Sequence, residues 1–135
     1  MQNSVRAKRG RRTWILDHLR RSAAVSFHCE GVAVDLVNHV AWPPEGAVAL
    51  RPQEVRLLRL LSATPNRVVP SLEILRQLYE GVPLESAKVR LKTLVADIRR
   101  RLGPRVGSRL RAAHGVGLIL YVDGMTSEAQ AQRFD

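Results

Sequence analysis

Between Lys88 and His114 nine basic side chains (Lys88, Arg90, Lys92, Arg99, Arg100, Arg101, Arg105, Arg109 and Arg111) face one acid, Asp97, a local formal charge of +8. Guanidinium and ammonium groups at this density hold phosphates, and Arg can also donate in pairs to a guanine edge. Nothing comparable points to catalysis. Cys29 is the only cysteine and adjoins His28 with no second Cys/His pair, so no zinc-ligand spacing exists. The sequence holds no phosphate-binding glycine loop, nucleophile elbow or paired carboxylates at a plausible site. The expectation is a binding protein that is not an enzyme and uses no cofactor or metal.

The formal net charge of +10 is unevenly spread: residues 1–24 carry +6, residues 88–114 carry +8, and the remainder is mildly acidic. Two cationic segments on an acidic body suit a polyanionic partner. No apolar run approaches the roughly 18–20 residues of a membrane span. Asp17, His18, Arg20 and Arg21 interrupt the stretch that a signal peptide would need. With its single cysteine the chain forms no internal disulfide, consistent with a reducing compartment. A soluble cytoplasmic protein associated with the nucleoid is expected, without a membrane partner.

These residues need a scaffold. Leu91, Val95, Ile98 and Leu102 recur at i, i+4, i+7 spacing, so the basic segment from Ser86 to Leu102 reads as an amphipathic helix ending at Gly103-Pro104. Ser86 is placed to cap it. Beyond it, RLRAA and LILYV flank His114-Gly115-Val116-Gly117 and form a hairpin. Upstream, Leu50, Val55, Leu57, Leu58 and Leu61 mark a helix with Pro52 in its first turn and Glu54 near its positive end. Pro65-Asn66 stops that helix, and a second follows near Ser71–Tyr79, with Leu72, Leu75 and Leu78 on one side. From Ala24 to Leu50, short β-branched runs separated by Val37-Asn38 and Pro43-Pro44-Glu45-Gly46 read as three or four antiparallel strands. Residues 1–24 form a basic arm with room for a short helix over 13–22, and residues 123–135 a polar tail. Trp14, Ile15 and Leu19 would pack on the sheet or form a dimer contact. The fold class is α+β: a small antiparallel sheet, three helices and a C-terminal hairpin, the order of a winged helix-turn-helix.

Over residues 25–122 this order resembles the OmpR/PhoB-type winged-helix DNA-binding domain of bacterial response regulators. The resemblance rests on Leu50-Arg51-Pro52-Gln53-Glu54 with the Leu-rich helix, Thr64-Pro65-Asn66-Arg67-Val68, Ile74-Leu75 to Tyr79, the core spacing of the third helix, and Gly115-Val116-Gly117. It implies a recognition helix over about 86–102 in the major groove of duplex DNA, and a wing over about 109–121 on the backbone or minor groove. Arg51 replaces the family's capping Thr, so that cap bond is expected to be lost. Pro70 replaces a capping Ser, with Ser71 placed to take over. Leu94, Asp97, His114 and Leu118 replace a DNA-facing His, a DNA-contacting Arg, the Arg before Gly-x-Gly and an aromatic. The family's sequence preference is therefore not expected to carry over. Twenty-four upstream residues are too few for a phosphoacceptor receiver, which suggests a stand-alone regulator.

The DNA-binding candidates are Lys88, Arg90, Lys92, Thr93, Asp97, Arg99, Arg100 and Arg101 on the helix, with Arg109, Arg111 and His114 on the wing. On the helix, Arg90, Thr93, Asp97 and Arg100 are expected opposite the apolar stripe, flanked by Lys92, Ala96 and Arg99. Arg6, Lys8, Arg9, Arg11 and Arg12 would serve as arm contacts. Tyr79, Glu80 and Val82 resemble the family's loop contact to RNA polymerase. The partners expected are double-stranded DNA, RNA polymerase and a second copy, as a homodimer or in tandem on DNA. Two alternatives stay open: a protein-interaction module docking on polymerase or another regulator, and a nucleoid-type binder with weak sequence preference.

Overall fold

A computed structural model describes residues 25–123 of the chain. The expected arm contacts, the helix over 13–22 and the C-terminal tail lie outside the described residues. Four short strands, β1 (Phe27–Cys29), β2 (Val32–Asp35), β3 (Val40–Trp42) and β4 (Val48–Ala49), pair antiparallel in sequence order. Val32 and Val34 point into the core, while Ala33 lies between its cross-strand partners His28 and Trp42. Asp35 is buried because its carboxylate serves the following turn. Its Oδ1 accepts from the backbone N–H groups of Val37 and Asn38, both at 2.9 Å.

The helices follow the apolar spacing. Helix α1 (Pro52–Ser62) buries Val55, Leu57, Leu58 and Leu61, and α2 (Ser71–Leu78) buries Ile74, Leu75 and Leu78. Each such Leu or Ile contributes about 1.5–3 kcal/mol by leaving water. Leu72, expected on that buried side, is instead 65% exposed: one residue into α2, it falls off the 74–75–78 stripe. Helix α3 (Leu84–Leu102) starts two residues earlier than expected. Pro83 supplies the extended N-cap backbone, and the first helical bond runs from Ala87 N–H to Pro83 O at 2.9 Å. Ser86 thus lies within the helix and does not cap it. Ser71 likewise occupies the first turn of α2 behind Pro70, and no side chain caps either helix. Gly103 ends α3 with φ 86°, a value only glycine adopts without strain, and Pro104 follows.

Two elements go beyond the expectation. A one-turn helix α4 (Pro104–Gly107) buries Val106 before the hairpin strands β6 (Leu110–Ala113) and β7 (Gly117–Leu120). A two-residue strand β5 (Val69–Pro70) pairs with β7, making a sheet of order β5-β7-β6. A continuous apolar core joins both sheets to α1, α2 and α3. Among the described residues no helix is long and apolar enough to cross a membrane.

Candidate nucleic-acid interface

The basic helix is held by its buried face. Ala87, Leu91, Leu94, Val95, Ile98 and Leu102 all point into the core. Leu94 therefore belongs to the packing stripe and not to the exposed face where the family places a DNA-facing His. Its spacing from Leu91 and Ile98, i+3 then i+4, already allowed this.

At 3.6 residues per turn, the direction opposite that stripe is occupied by Val89, Thr93, Ala96 and Arg100, within an arc of about 60°. All four are exposed. This shifts the expected outward set: Val89 and Ala96 join it, whereas Arg90 and Asp97 move to one flank. Lys88, Lys92 and Arg99 form the flank nearer the hairpin, and Arg90 and Arg101 the flank nearer α1. The helix thus presents a narrow stripe, small side chains closed by Arg100, between two cation-bearing flanks, one of which also carries Asp97.

Not every cation in those rows is available. The Arg99 guanidinium donates twice to Leu110 O, through Nε at 3.2 Å and Nη2 at 2.6 Å, and ties α3 to the start of the hairpin. Arg101 donates through Nη1 to Glu54 Oε1 and through Nη2 to Ala49 O at 2.5 Å. Arg109 donates to Glu30 Oε1, with Nε at 2.7 Å, and Arg105 reaches Glu30 O at 3.3 Å. Glu30 is the tip of the β1–β2 turn, so these two arginines fasten the first sheet to the second. Arg99, Arg101 and Arg109, expected as DNA contacts, are thus each bonded to a carbonyl or carboxylate on another element.

Lys88, Arg90 and Lys92 remain on the exposed surface of α3. Lys88 makes only a long contact, 3.7 Å, to Glu85. Arg100 is exposed and pairs with Asp97 Oδ1 at 2.7 Å, which fixes the guanidinium at the end of the outward stripe. On the hairpin, Arg111 is exposed and bonds only Ser108 O at 3.2 Å; His114 is exposed at the tip.

The hairpin's position is set by a close approach. A Cβ on Gly117 would meet Val69 O at 1.9 Å, so only glycine permits the β5–β7 pairing there. One residue earlier, Val116 O accepts from Ser71 N–H at 2.9 Å, joining the hairpin turn to the start of α2. The second glycine of Gly115-Val116-Gly117 thus docks the wing against the helix pair.

Glu54 organises the other end of the site. Its carboxylate accepts from the Arg51 backbone N–H at 2.8 Å, the Glu half of a capping box; the Thr half, a hydroxyl accepting from the Glu54 N–H, is missing because the Arg51 side chain has no acceptor to offer. The Arg51 side chain stands exposed at the mouth of a groove between α1 and α3, whose apolar walls include Tyr79, Val89 and Leu94, with Arg90 beside them. Sequence reasoning did not include Arg51 among the contacts, although its place next to the helix start was a signal. In the loop between α2 and α3, Tyr79 is buried and Val82 packs against the core, leaving only Glu80 of the three expected polymerase contacts well exposed. Burial pushes the Tyr79 phenol pKa up, opposed by the positive charges of Arg90 and Arg56.

Comparison with known structures agrees with this architecture. The Klebsiella pneumoniae RstA DNA-binding domain, solved in complex with the RstA box, is 17% identical over 74% of this chain and 98% of its own, with a TM-score of 0.58. The DNA-binding domain of CpxR from E. coli is 18% identical over 70% of this chain and 93% of its own, TM-score 0.57. The C-terminal domain of the nisin resistance regulator NsrR is 22% identical over 67% of this chain and 90% of its own, TM-score 0.53. No curated protein is significantly similar in sequence. Residues 45–120 match the profile described as "Transcriptional regulatory protein, C terminal". That match spans more than half of the sequence and covers α1 to α4 and the hairpin; the chain belongs to this family of OmpR/PhoB-type winged-helix DNA-binding domains, a non-enzymatic family.

Proposed function

We propose that this chain acts as a stand-alone transcriptional regulator that binds duplex DNA in the cytoplasm, with α3 in the major groove and the β6–β7 hairpin over the adjacent backbone or minor groove. The observation that carries the proposal is the exposed face of α3. Its cations Lys88, Arg90, Lys92 and Arg100 are exposed on a helix fixed by its buried stripe, and Arg111 and His114 stand beside them on a docked hairpin. The RstA domain was solved on the RstA box and the AdeR domain on an intercistronic region, and carrying that partner to this chain is part of the proposal. The self-contained core of the described residues supports binding without help from another domain.

Arg51 is added to the candidate contacts, while Arg99, Arg101 and Arg109 act by holding the scaffold. One helix reads few base pairs, so two copies on adjacent half-sites, as a dimer or in tandem, belong to the same proposal. The rival reading, a module that docks only on protein, loses support: Leu94 is core, and Tyr79 and Val82 turn inward. Selection from a random duplex library tests the proposal. Enrichment of discrete sites is expected; binding without enrichment would favour the nucleoid-type reading. Failure to retain any duplex, alongside a stable complex with polymerase, would overturn it.

A further inference from the structure

Apart from Arg100, the cations along α3 stand to the sides of its outward direction, and the other residues that would enter deepest into a groove are nearly apolar. Val89 is 64% exposed, a large aliphatic side chain turned to water on a helix that has ample core for its other faces. Thr93 follows one turn later and Ala96 the next, both exposed, and Arg100 closes the row. This stripe offers the methyls of Val89, Thr93 and Ala96. Its only hydrogen-bonding groups are the Thr93 hydroxyl and, at the far end, the Arg100 guanidinium.

Charge identifies the occupant. Lys88 and Lys92 border the stripe on the hairpin side, and Arg90, with Arg51 beyond it, borders it on the α1 side. A protein partner with an apolar ridge would have to leave both cationic rows unmatched. A duplex major groove matches all of it: two phosphate walls for the two rows, and between them a floor of base edges. On that floor thymine presents an apolar C5-methyl group in addition to its O4 acceptor.

We infer that Val89, Thr93 and Ala96 read thymine methyl groups, so that this protein prefers duplexes with thymines at the centre of the α3 contact. The inference rests on the proposed DNA binding and specifies what that surface selects. Lys88, Lys92 and Arg90 hold phosphates on either side and contribute equally on any sequence. Removal of one buried methyl contact corresponds to roughly a fourfold loss in affinity.

The test uses the full chain and duplexes selected from a random library. Each thymine in the selected site is replaced by uracil, which lacks only the C5-methyl, and binding is measured by fluorescence anisotropy. Wild type is expected to weaken roughly fourfold at each of two or three central positions. Val89→Ala and Thr93→Ser, both at exposed positions, should each abolish the uracil penalty at one position while leaving thermal unfolding unchanged. Lys92→Ala should weaken thymine and uracil duplexes alike. A selected site without central thymines, or a penalty unchanged in both variants, overturns thymine reading while DNA binding stands. Absence of binding to every duplex removes both.

Discussion

Replacing Arg101 with Ala should cost stability, although the residue sits in a run of basic side chains that looks made for DNA. Glu54 is 1% exposed and its Oε1 is shared between the Arg51 backbone N–H and the Arg101 guanidinium. Its Oε2 has no hydrogen-bond partner among the described residues. Without Arg101 the carboxylate keeps one backbone donor and loses its counter-charge. Breaking a fully buried pair in this way costs about 3–5 kcal/mol. The Arg101 side chain is 21% exposed, so water can enter where it stood, and the lower end, about 3 kcal/mol, is expected. For a domain of this size that is a fall in Tm of roughly 12–24 °C. Thermal unfolding by circular dichroism at neutral pH reads it directly. Glu54→Gln/Arg101→Ala should recover part of the loss, because no buried charge is then stranded. A Tm for Arg101→Ala within about 3 °C of wild type would refute the reasoning, since that corresponds to less than about 1 kcal/mol.

Two further perturbations bear on the scaffold. Gly117→Ala should destabilise by about 3 kcal/mol in urea unfolding, because its Cβ would fall 1.9 Å from Val69 O and the β5–β7 pairing must open to admit it; unchanged stability would show that the close approach is not needed. The Cys29 thiol is fully buried, and burial with help from Asp123 and Glu30, against Arg109, pushes its pKa up to about 12. Iodoacetamide at pH 8 should therefore label it at the rate of unfolding, and rapid native-state labelling would contradict that burial. Because the unfolded thiol ionises near 9.0 and the folded one near 12, the folded state binds more protons between those values. Stability should fall as pH rises from about 9 towards 12, and Cys29→Ala should lessen that fall in urea midpoints.

Much of the scaffold was legible in the sequence because it depends on local periodicity. The buried set of α1 (Val55, Leu57, Leu58 and Leu61) and the Gly103 stop could be read from spacing alone, since a helix repeats its face every 3.6 residues. Strand β5 could not, because two residues carry no period and Val69 becomes a strand only by meeting Leu118. The fate of the arginines was equally hidden. Arg100 and Arg101 are neighbours of identical chemistry, yet one points to solvent and the other to Glu54, 47 residues earlier. Arg99 finds a carbonyl in a strand whose position depends on α4, an element with no apolar pattern to announce it. Charge in sequence therefore indicated the class of partner, whereas which arginines are tied to other elements came from tertiary structure.

The central claim is that the exposed cations of α3 and its neighbours neutralise DNA phosphates. Duplex binding as a function of salt, for wild type and for Lys88→Ala, Arg90→Ala and Lys92→Ala, tests it most directly. With Arg100 paired to Asp97, the five other exposed cations of the proposed interface, Arg51, Lys88, Arg90, Lys92 and Arg111, imply a slope of log K against log salt of about −4 to −5 per bound copy. Each single substitution should bring that slope about one unit closer to zero, with unchanged Tm. A slope that stays the same when all three are removed together, or no binding at low salt, would contradict the account.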